Sequence, residues 1–370
     1  EMIEAFKGRD KTVEKYLIRT RQYFTVVNHC LIAGQSAFVA TEGVEEKKTL
    51  KSELWEGTRE TPSNLYGLLW RACRFLSPIL DTLEQGNTRK VAMDFFFETR
   101  FFLTILEQYY DDSYITSVSQ EGEETIMCLD CLDASTKLRS QIEDMMSVVF
   151  FSATLSPYQY YKNVLLGKDA DFCKSLVLPS PFPPENLDVI VDSTISTLYK
   201  DRNNTSKQLV DRILEQLEDL TGNYMIFFSS FEYEEKIVSK LIEAFEALST
   251  SDGVKRAVVR QKREMTKTDK QSFLDAFCEP SKGLLLGCAV LGGQFGEGID
   301  LVGDKLSGVI IVGVGIPKIT PERQLLSNYY SEKFGDGYAF AYRFPGWEKV
   351  LQAVGRVIRT EEDTGFALLI

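Results

Sequence analysis

The octapeptide QAVGRVIR at residues 352–359 sets two arginines and a glutamine at a spacing suited to sensing a nucleotide's terminal phosphate. An arginine delivered to that phosphate neutralises charge in the transition state of phosphoryl transfer and raises the rate by orders of magnitude. Gln352, Arg356 and Arg359 stand at i, i+4 and i+7, so helical spacing puts all three on one face. Val350, Ala353, Val354 and Val357 supply an apolar stripe. Such a helix suits a cleft wall; taken alone, it equally suits a surface whose arginines are solvated. A second segment, LGGQFGEGIDL at 291–301, follows an apolar run at 283–290. The run reads as a buried strand opening into a loop where backbone approaches a ligand closely. Gly292, Gly293, Gly296 and Gly298 exceed what one turn requires, and Glu297 and Asp300 add carboxylates. A third segment, VVFFSATLSP at 148–157, predicts a strand over 148–151 with Ser152 and Thr154 at its C-terminal end, where parallel α/β sheets carry their sites. A fourth, YMIFFSSF at 224–231, repeats that design with Ser229 and Ser230.

The elements that must position these residues change character along the chain. Residues 91–110 and 65–83 carry apolar side chains at helical spacing, the latter with Pro78 expected to kink or end it, so roughly the first hundred residues read as helical. From residue 114 onward strands and helices alternate. Strands are predicted at 148–151, 189–191, 224–228, 257–259, 283–288, 309–314 and 366–370. Helices are predicted at 207–220, 233–247, 268–277, 321–334 and 347–358. That pattern is α/β with a mainly parallel sheet. PSPFPP at 179–184 reads as a rigid linker.

Together and in this order, SATLSP, FFSSF, GGQFGEGID and QAVGRVIR resemble motifs III to VI of superfamily 2 DNA helicases of the XPD/DinG family, over residues 113–370. The resemblance implies a RecA-like (P-loop NTPase-type) parallel-sheet domain with a helical Arch-type insertion before it, ATP and Mg2+ as cofactors, and 5′ to 3′ movement on single-stranded or forked DNA. It divides the chain into an Arch-type insertion at 1–112, the returning edge of the first RecA-like domain at 113–166, and a second RecA-like domain at 167–370. It also implies roles. Gln352, Arg356 and Arg359 face the ATP cleft. Glu297, Gly298, Asp300 and Gly355 line the nucleotide side, with Glu297 and Asp300 contacting ribose or the arginines. Ser152 and Thr154 couple hydrolysis to movement, and Ser229, Ser230, Gly293 and Gln294 hold phosphates of the strand. Ala153 stands where the family commonly has glycine.

No G-x-x-x-x-G-K-S/T string occurs, and the only histidine, His29, is not followed by an acidic box. The expectation is therefore the C-terminal part of a longer helicase, inactive in ATP hydrolysis without its N-terminal domain. Its relatives often carry an iron–sulfur cluster on cysteines ahead of the acidic box, a question left to the parent protein. Among the seven cysteines only Cys128 and Cys131 form a C-x-x-C, on opposite faces if in a strand, so buried reduced thiols are expected and no metal site.

With 370 residues, 44% of them hydrophobic and 26% charged, the chain can bury a large core in two or three domains. No apolar run is long enough to span a membrane, which suits a cytoplasmic chain. A formal charge of −12 argues against holding DNA by bulk electrostatics, but an acidic body can carry a local basic groove. Candidate patches are residues 7–21 and the cluster Arg256, Arg260, Lys262 and Arg263. A non-catalytic nucleic-acid or protein-binding module with a degenerate RecA-like fold is the alternative. A Rossmann-like enzyme does not account for four segments matching one family in order.

Overall fold

The computed structural model describes residues 1–168, 170–295 and 301–370. The chain forms two compact units, one of Glu1–Val148, Lys162–Asp169 and Ile319–Gly335, the other of Val149–Tyr161, Ala170–Lys318 and Asp336–Ile370.

The first unit opens with helices α1 (Met2–Phe6), α2 (Lys11–Ile32) and α3 (Ala37–Glu42). Asp10 caps α2 by accepting the Thr12 and Val13 N–H groups, and Ser36 caps α3. Strands β1 (Thr49–Ser52) and β2 (Trp55–Thr58) follow, then α4 (Ser63–Leu80), α5 (Asn87–Thr104), β3 (Tyr114–Glu121), β4 (Glu124–Cys131) and α6 (Ser135–Glu143). Pro78 lies in the last turn of α4, so it ends the helix without interrupting it. The four strands form one antiparallel sheet in the order β1-β2-β3-β4. Val27, Leu31, Phe38, Leu65, Leu103 and Val118 pack as one core between helices and sheet.

One expectation changes here. The first hundred residues are not wholly helical, because β1 pairs with β2 and β2 with β3. The sheet thus joins strands on both sides of residue 112. Residues 319–335, sequentially within the C-terminal half, join this unit as well. Charge fixes them there. The Asp133 carboxylate, 2% exposed, accepts from the Lys333 ammonium, from the Tyr329 hydroxyl at 3.1 Å and from the Ser135 N–H at 2.9 Å. Burial pushes the Asp133 carboxyl up, but the bonds from Lys333 and Ser135 outweigh it and hold the group below its ordinary value.

Helix α7 (Tyr158–Leu166) passes from the second unit into the first at Lys162. The second unit continues with β5 (Leu187–Val191), α8 (Arg202–Leu217), β6 (Gly222–Phe228), α9 (Phe231–Asp252), β7 (Arg256–Arg260), α10 (Lys267–Asp275), β8 (Leu284–Val290) and β9 (Gly308–Val312). Helix α11 (Pro321–Phe334) belongs to the first unit; α12 (Phe344–Val354) and β10 (Gly365–Leu369) close the chain. Six strands form an all-parallel sheet in the order β5-β10-β9-β6-β8-β7. A parallel sheet covered on both faces needs apolar residues on both, and the strands alternate accordingly. Tyr224, Ile226 and Phe228 enter one core with Leu284, Leu286, Ile310 and Val312 beneath α8 and α9. Met225 and Phe227 enter the other with Leu285, Val309 and Ile311 beneath α10 and α12. Asn223, fully buried at the start of β6, ties three segments together: its amide donates to the Glu279 and Lys305 carbonyls and its oxygen accepts from the Ser281 N–H. The α/β class with a parallel sheet thus stands as expected.

The predicted strand at 148–151 does not form. Residues 144–157 carry no helix or strand, Val149 is 78% exposed and Phe151 90%. β-branched and aromatic residues favour strands only where a neighbouring strand completes the ladder, and among the described residues this run has none.

Candidate nucleotide and nucleic-acid site

Strand ends of the parallel sheet gather several of the predicted residues. Ser229 follows β6 directly, and Ser230 caps α9 by accepting the Tyr233 N–H at 3.3 Å. β8 lies beside β6, and the Leu291 N–H donates to the Phe228 carbonyl at 2.9 Å, so the glycine-rich loop starts next to Ser229. Gly292 takes φ +70, and a Cβ there would lie 2.8 Å from Lys349 Cε of α12. Gly293 packs as tightly, with its missing Cβ 2.9 Å from the Gln261 side chain and from the Val290 carbonyl. Gln261, itself buried, accepts the Val290 N–H at 3.0 Å and so anchors the first turn of the loop. Gln294 is exposed. Glu297, Gly298 and Asp300 lie outside the described residues.

Motif VI differs from its expected geometry. Helix α12 ends at Val354, with Gly355 as its cap, and the Arg356 and Val357 N–H groups bond three residues back instead of four. Glycine disfavours continuing a helix, and the tightened turn rotates the following side chains off the helical face. Gln352, Arg356 and Arg359 therefore do not share one helical stripe. Gln352 is half-buried on α12, Arg356 is 5% exposed, and Arg359 is exposed beyond the turn. Asp363, 6% exposed, accepts from the Arg359 N–H at 2.7 Å, the Thr360 N–H at 2.8 Å and the Thr360 hydroxyl at 2.8 Å. Burial raises its carboxyl, but these bonds prevail and hold it below the ordinary value. Asp363 thus fixes the backbone that carries Arg359, a role no spacing signal in the sequence announces.

Ser152 and Thr154 stand on the exposed segment, their hydroxyls 3.2 Å apart, with the Thr154 N–H donating to Ser152 Oγ. Hydroxyl and turn are present; the strand behind them is not.

Arg202, unremarked in the sequence, sits at the same sheet edge. Its Nη2 donates to Ser229 Oγ at 2.9 Å and its Nε to the Thr197 carbonyl at 3.1 Å. Gly313, at φ +76 just past β9, leaves room for both partners: a Cβ there would lie 3.2 Å from Thr197 Oγ1 and 3.8 Å from Ser229 Oγ. Three of the four cations in the basic cluster proposed from sequence are bonded to carboxylates instead. Arg260 makes a two-pronged bond to Glu234 at 2.8 and 2.7 Å, Arg263 pairs with Glu232, and Lys262 pairs with Asp269 at 2.8 Å. The hydrogen bond from Arg263 pulls the Glu232 carboxyl down to about 2.

The thiols divide. Cys30, Cys73 and Cys288 are buried as expected, whereas Cys128, Cys131 and Cys278 are exposed, the first two because β4 is an edge strand. Among the described residues no group of three histidine, cysteine or acidic side chains is placed to hold a metal. No helix among them is long and apolar enough to cross a membrane.

Residues 213–370 match the family described as Helicase C-terminal domain. Over 234 residues the chain is 26% identical to a probable ATP-dependent helicase of Methanocaldococcus jannaschii, covering 60% of this chain and 34% of that protein. It is 25% identical over 232 residues to the ATP-dependent DNA helicase DinG of Photobacterium profundum, covering 60% and 31%. It is also 25% identical over 256 residues to the general transcription and DNA repair factor IIH helicase subunit XPD/RAD3 of Saccharomyces cerevisiae, covering 66% and 32%. The chain spans about a third of the length of these relatives. A solved XPD helicase superposes with a TM-score of 0.51 at 16% identity, over 97% of this chain and 60% of that one. Xpd4 of S. tokodaii does so at 0.53 and 13%, over 100% and 64%. At those identities the structural likeness speaks for the fold.

Proposed function

We propose that this chain belongs to the XPD/DinG helicases and supplies the arginine-bearing half of the ATP cleft and part of the single-strand track of an ATP-dependent DNA helicase moving 5′ to 3′, a reading supported by its match to the helicase C-terminal domain. The observation that carries this reading is the motif VI turn: an exposed Arg359 guanidinium on backbone pinned by buried Asp363. A side chain presented on fixed backbone loses little freedom when it meets a phosphate, which is what charge stabilisation in phosphoryl transfer requires. In this reading Arg359 reaches the γ-phosphate, Arg356 packs the turn beneath it, and Gln352 and Gly355 line the same wall. Glu297, Gly298 and Asp300 join nucleotide to strand. Ser229, Ser230, Gly293 and Gln294 hold strand phosphates at the sheet edge, and Ser152 and Thr154 relay hydrolysis.

ATP fits this arrangement as a ligand shared with a phosphate-loop domain, because the 370 residues hold no phosphate-loop string. Mg2+, when bound, offsets charge on the β- and γ-phosphates, and its ligands are assigned to that domain too. Residues 1–112 are read as the Arch-type insertion, 113–166 as the returning part of the first RecA-like domain and 167–370 as the second, although the compact units divide otherwise. Forked DNA is the proposed substrate and DNA repair the setting.

The test is single-strand-stimulated ATP hydrolysis by this chain combined with its phosphate-loop domain. Arg359→Ala is expected to cut turnover by about a thousandfold or more while strand binding persists. Equal loss of both sinks the assignment, and unchanged turnover favours a non-catalytic binding module.

A further inference from the structure

We propose that Arg202, Lys236 and Lys240, with Tyr199, form a second stretch of the single-strand path, running from Ser229 at the sheet edge along the seam between α8 and α9. The inference rests on the helicase reading above and extends it to residues that no motif marks. Its basis is a contrast in how the cations of this unit are satisfied. Arg260, Lys262 and Arg263 are each bonded to a carboxylate, so their charge is spent within the protein. The three seam cations are instead held by neutral oxygens. Arg202 bonds Ser229 Oγ and the Thr197 carbonyl; Lys236 bonds Asn203 Oδ1 and, at 3.4 Å, the Arg202 carbonyl; Lys240 bonds Ser206 Oγ at 2.9 Å. Asn203 and Ser206 stand three apart on α8, and Lys236 and Lys240 four apart on α9, so the pairs face each other across the helix seam. Each ammonium is positioned without being neutralised, the arrangement that favours exchange of a condensed counterion for a phosphate. Asp201, the acid next to Arg202 in sequence, is occupied by the Ser196 hydroxyl at 2.7 Å.

An aromatic ring distinguishes a nucleic acid from other polyanions. Tyr199 is 88% exposed, and the Arg202 guanidinium lies 5.7 Å from its ring centre and 4.2 Å from that of buried Tyr233. A rigid, exposed ring beside a fixed cation offers a base a stacking surface next to a phosphate contact. The loop bearing it is braced: Asp192 accepts from Thr194 and Arg212, and Thr205 Oγ1 donates to the Ser196 carbonyl at 2.8 Å.

The experiment is fluorescence anisotropy of labelled oligothymidylate on the full chain across a salt series, with polyglutamate as competitor and circular dichroism confirming that each variant is folded. Lys236→Gln/Lys240→Gln is expected to lower the slope of log affinity against log salt by about 1.4, and Arg202→Gln by about 0.7. Tyr199→Ala is expected to weaken binding about tenfold with the slope unchanged. If the native chain binds oligothymidylate but the lysine and Tyr199 variants match it in affinity and slope, the strip is refuted while the helicase reading survives. If Tyr199→Ala has no effect and the charge variants lose oligothymidylate and polyglutamate alike, the surface recognises acidic polymers and the inference also fails. If the native chain binds no single strand, the helicase reading itself falls.

Discussion

Two segments of this chain share one design and meet different fates. Residues 224–230 and 148–154 each run from aromatic and β-branched residues into a pair of hydroxyls. The first is the centre of a parallel sheet, flanked by β8 and β9, with Ile226, Phe227 and Phe228 fully buried. The second is extended and exposed, with Phe151 at 90%. The difference lies in the ladder, since each flanking strand satisfies one edge of backbone polar groups and covers the side chains above it. A strand-forming sequence is therefore a request that only its neighbours can grant.

The largest effect should separate the two directly. Phe227→Ala empties a site closed on every side and is expected to cost about 3–5 kcal/mol of the second unit's stability. Phe151→Ala removes a ring already in water and is expected to fall within about 0.5 kcal/mol. Urea midpoints for both variants check this. A comparable loss for Phe151 would show the segment packed in solution and would dissolve the contrast. Next comes Asn223→Ala at the start of β6, which strands two carbonyls and one N–H in the interior and should cost about 2–4 kcal/mol. A change below about 1 kcal/mol would mean that the ladder alone holds the strand.

A pH titration sharpens the same comparison, because apolar strands do not titrate and the Asp133 cluster does. The Asp133 carboxyl is held below its ordinary value in the folded chain, so its contribution is present above the unfolded carboxylate range and is lost as pH falls through the folded value. The first unit's urea midpoint should drop between about pH 5 and about pH 2 in the native chain. In Asp133→Asn that midpoint should start lower and vary less. A native profile as flat as that of the variant would remove Asp133 as the group that fixes residues 319–335.

What was legible follows from locality. Strands β6, β8 and β9 announce themselves because a sheet buried on both faces demands uninterrupted apolar runs. Helix α11, expected at 321–334, forms over Pro321–Phe334, and its ends are local: Thr320 caps the start and Gly335 takes the left-handed conformation behind Phe334. β1 and β2 were not legible, since TLKS and WEGT carry no alternation and the pair is completed by β3, some sixty residues beyond β2. The end of α12 was misjudged because an apolar pattern continues through Val357 while Gly355 breaks the backbone. Arg202 was invisible for another reason. Polar stretches such as DRNNTS at 201–206 are ordinary helix starts, and only the fold shows that Ser229 and Tyr233 receive this guanidinium, whereas the more conspicuous Arg260 and Arg263 find Glu234 and Glu232 from α9.

A modest effect on stability at Asp363 should carry information about mechanism. Asp363 accepts two backbone N–H groups and one hydroxyl in the turn after α12. Asp363→Ala strands those donors near the surface, a loss of about 1–2 kcal/mol that leaves the parallel sheet intact. If Asp363 only braces the turn, ATP turnover should track the folded fraction. If it positions Arg359, turnover in the combined protein should fall well beyond that fraction, in kcat more than in KM, because the arginine matters most when charge moves onto the transferred phosphoryl group. Asp363→Asn keeps one acceptor oxygen and should recover part of the rate. A rate loss no greater than the loss of folded protein, with no recovery in the asparagine variant, would return Asp363 to a purely structural place and leave the exposed Arg359 guanidinium without the fixed backbone on which its proposed role depends.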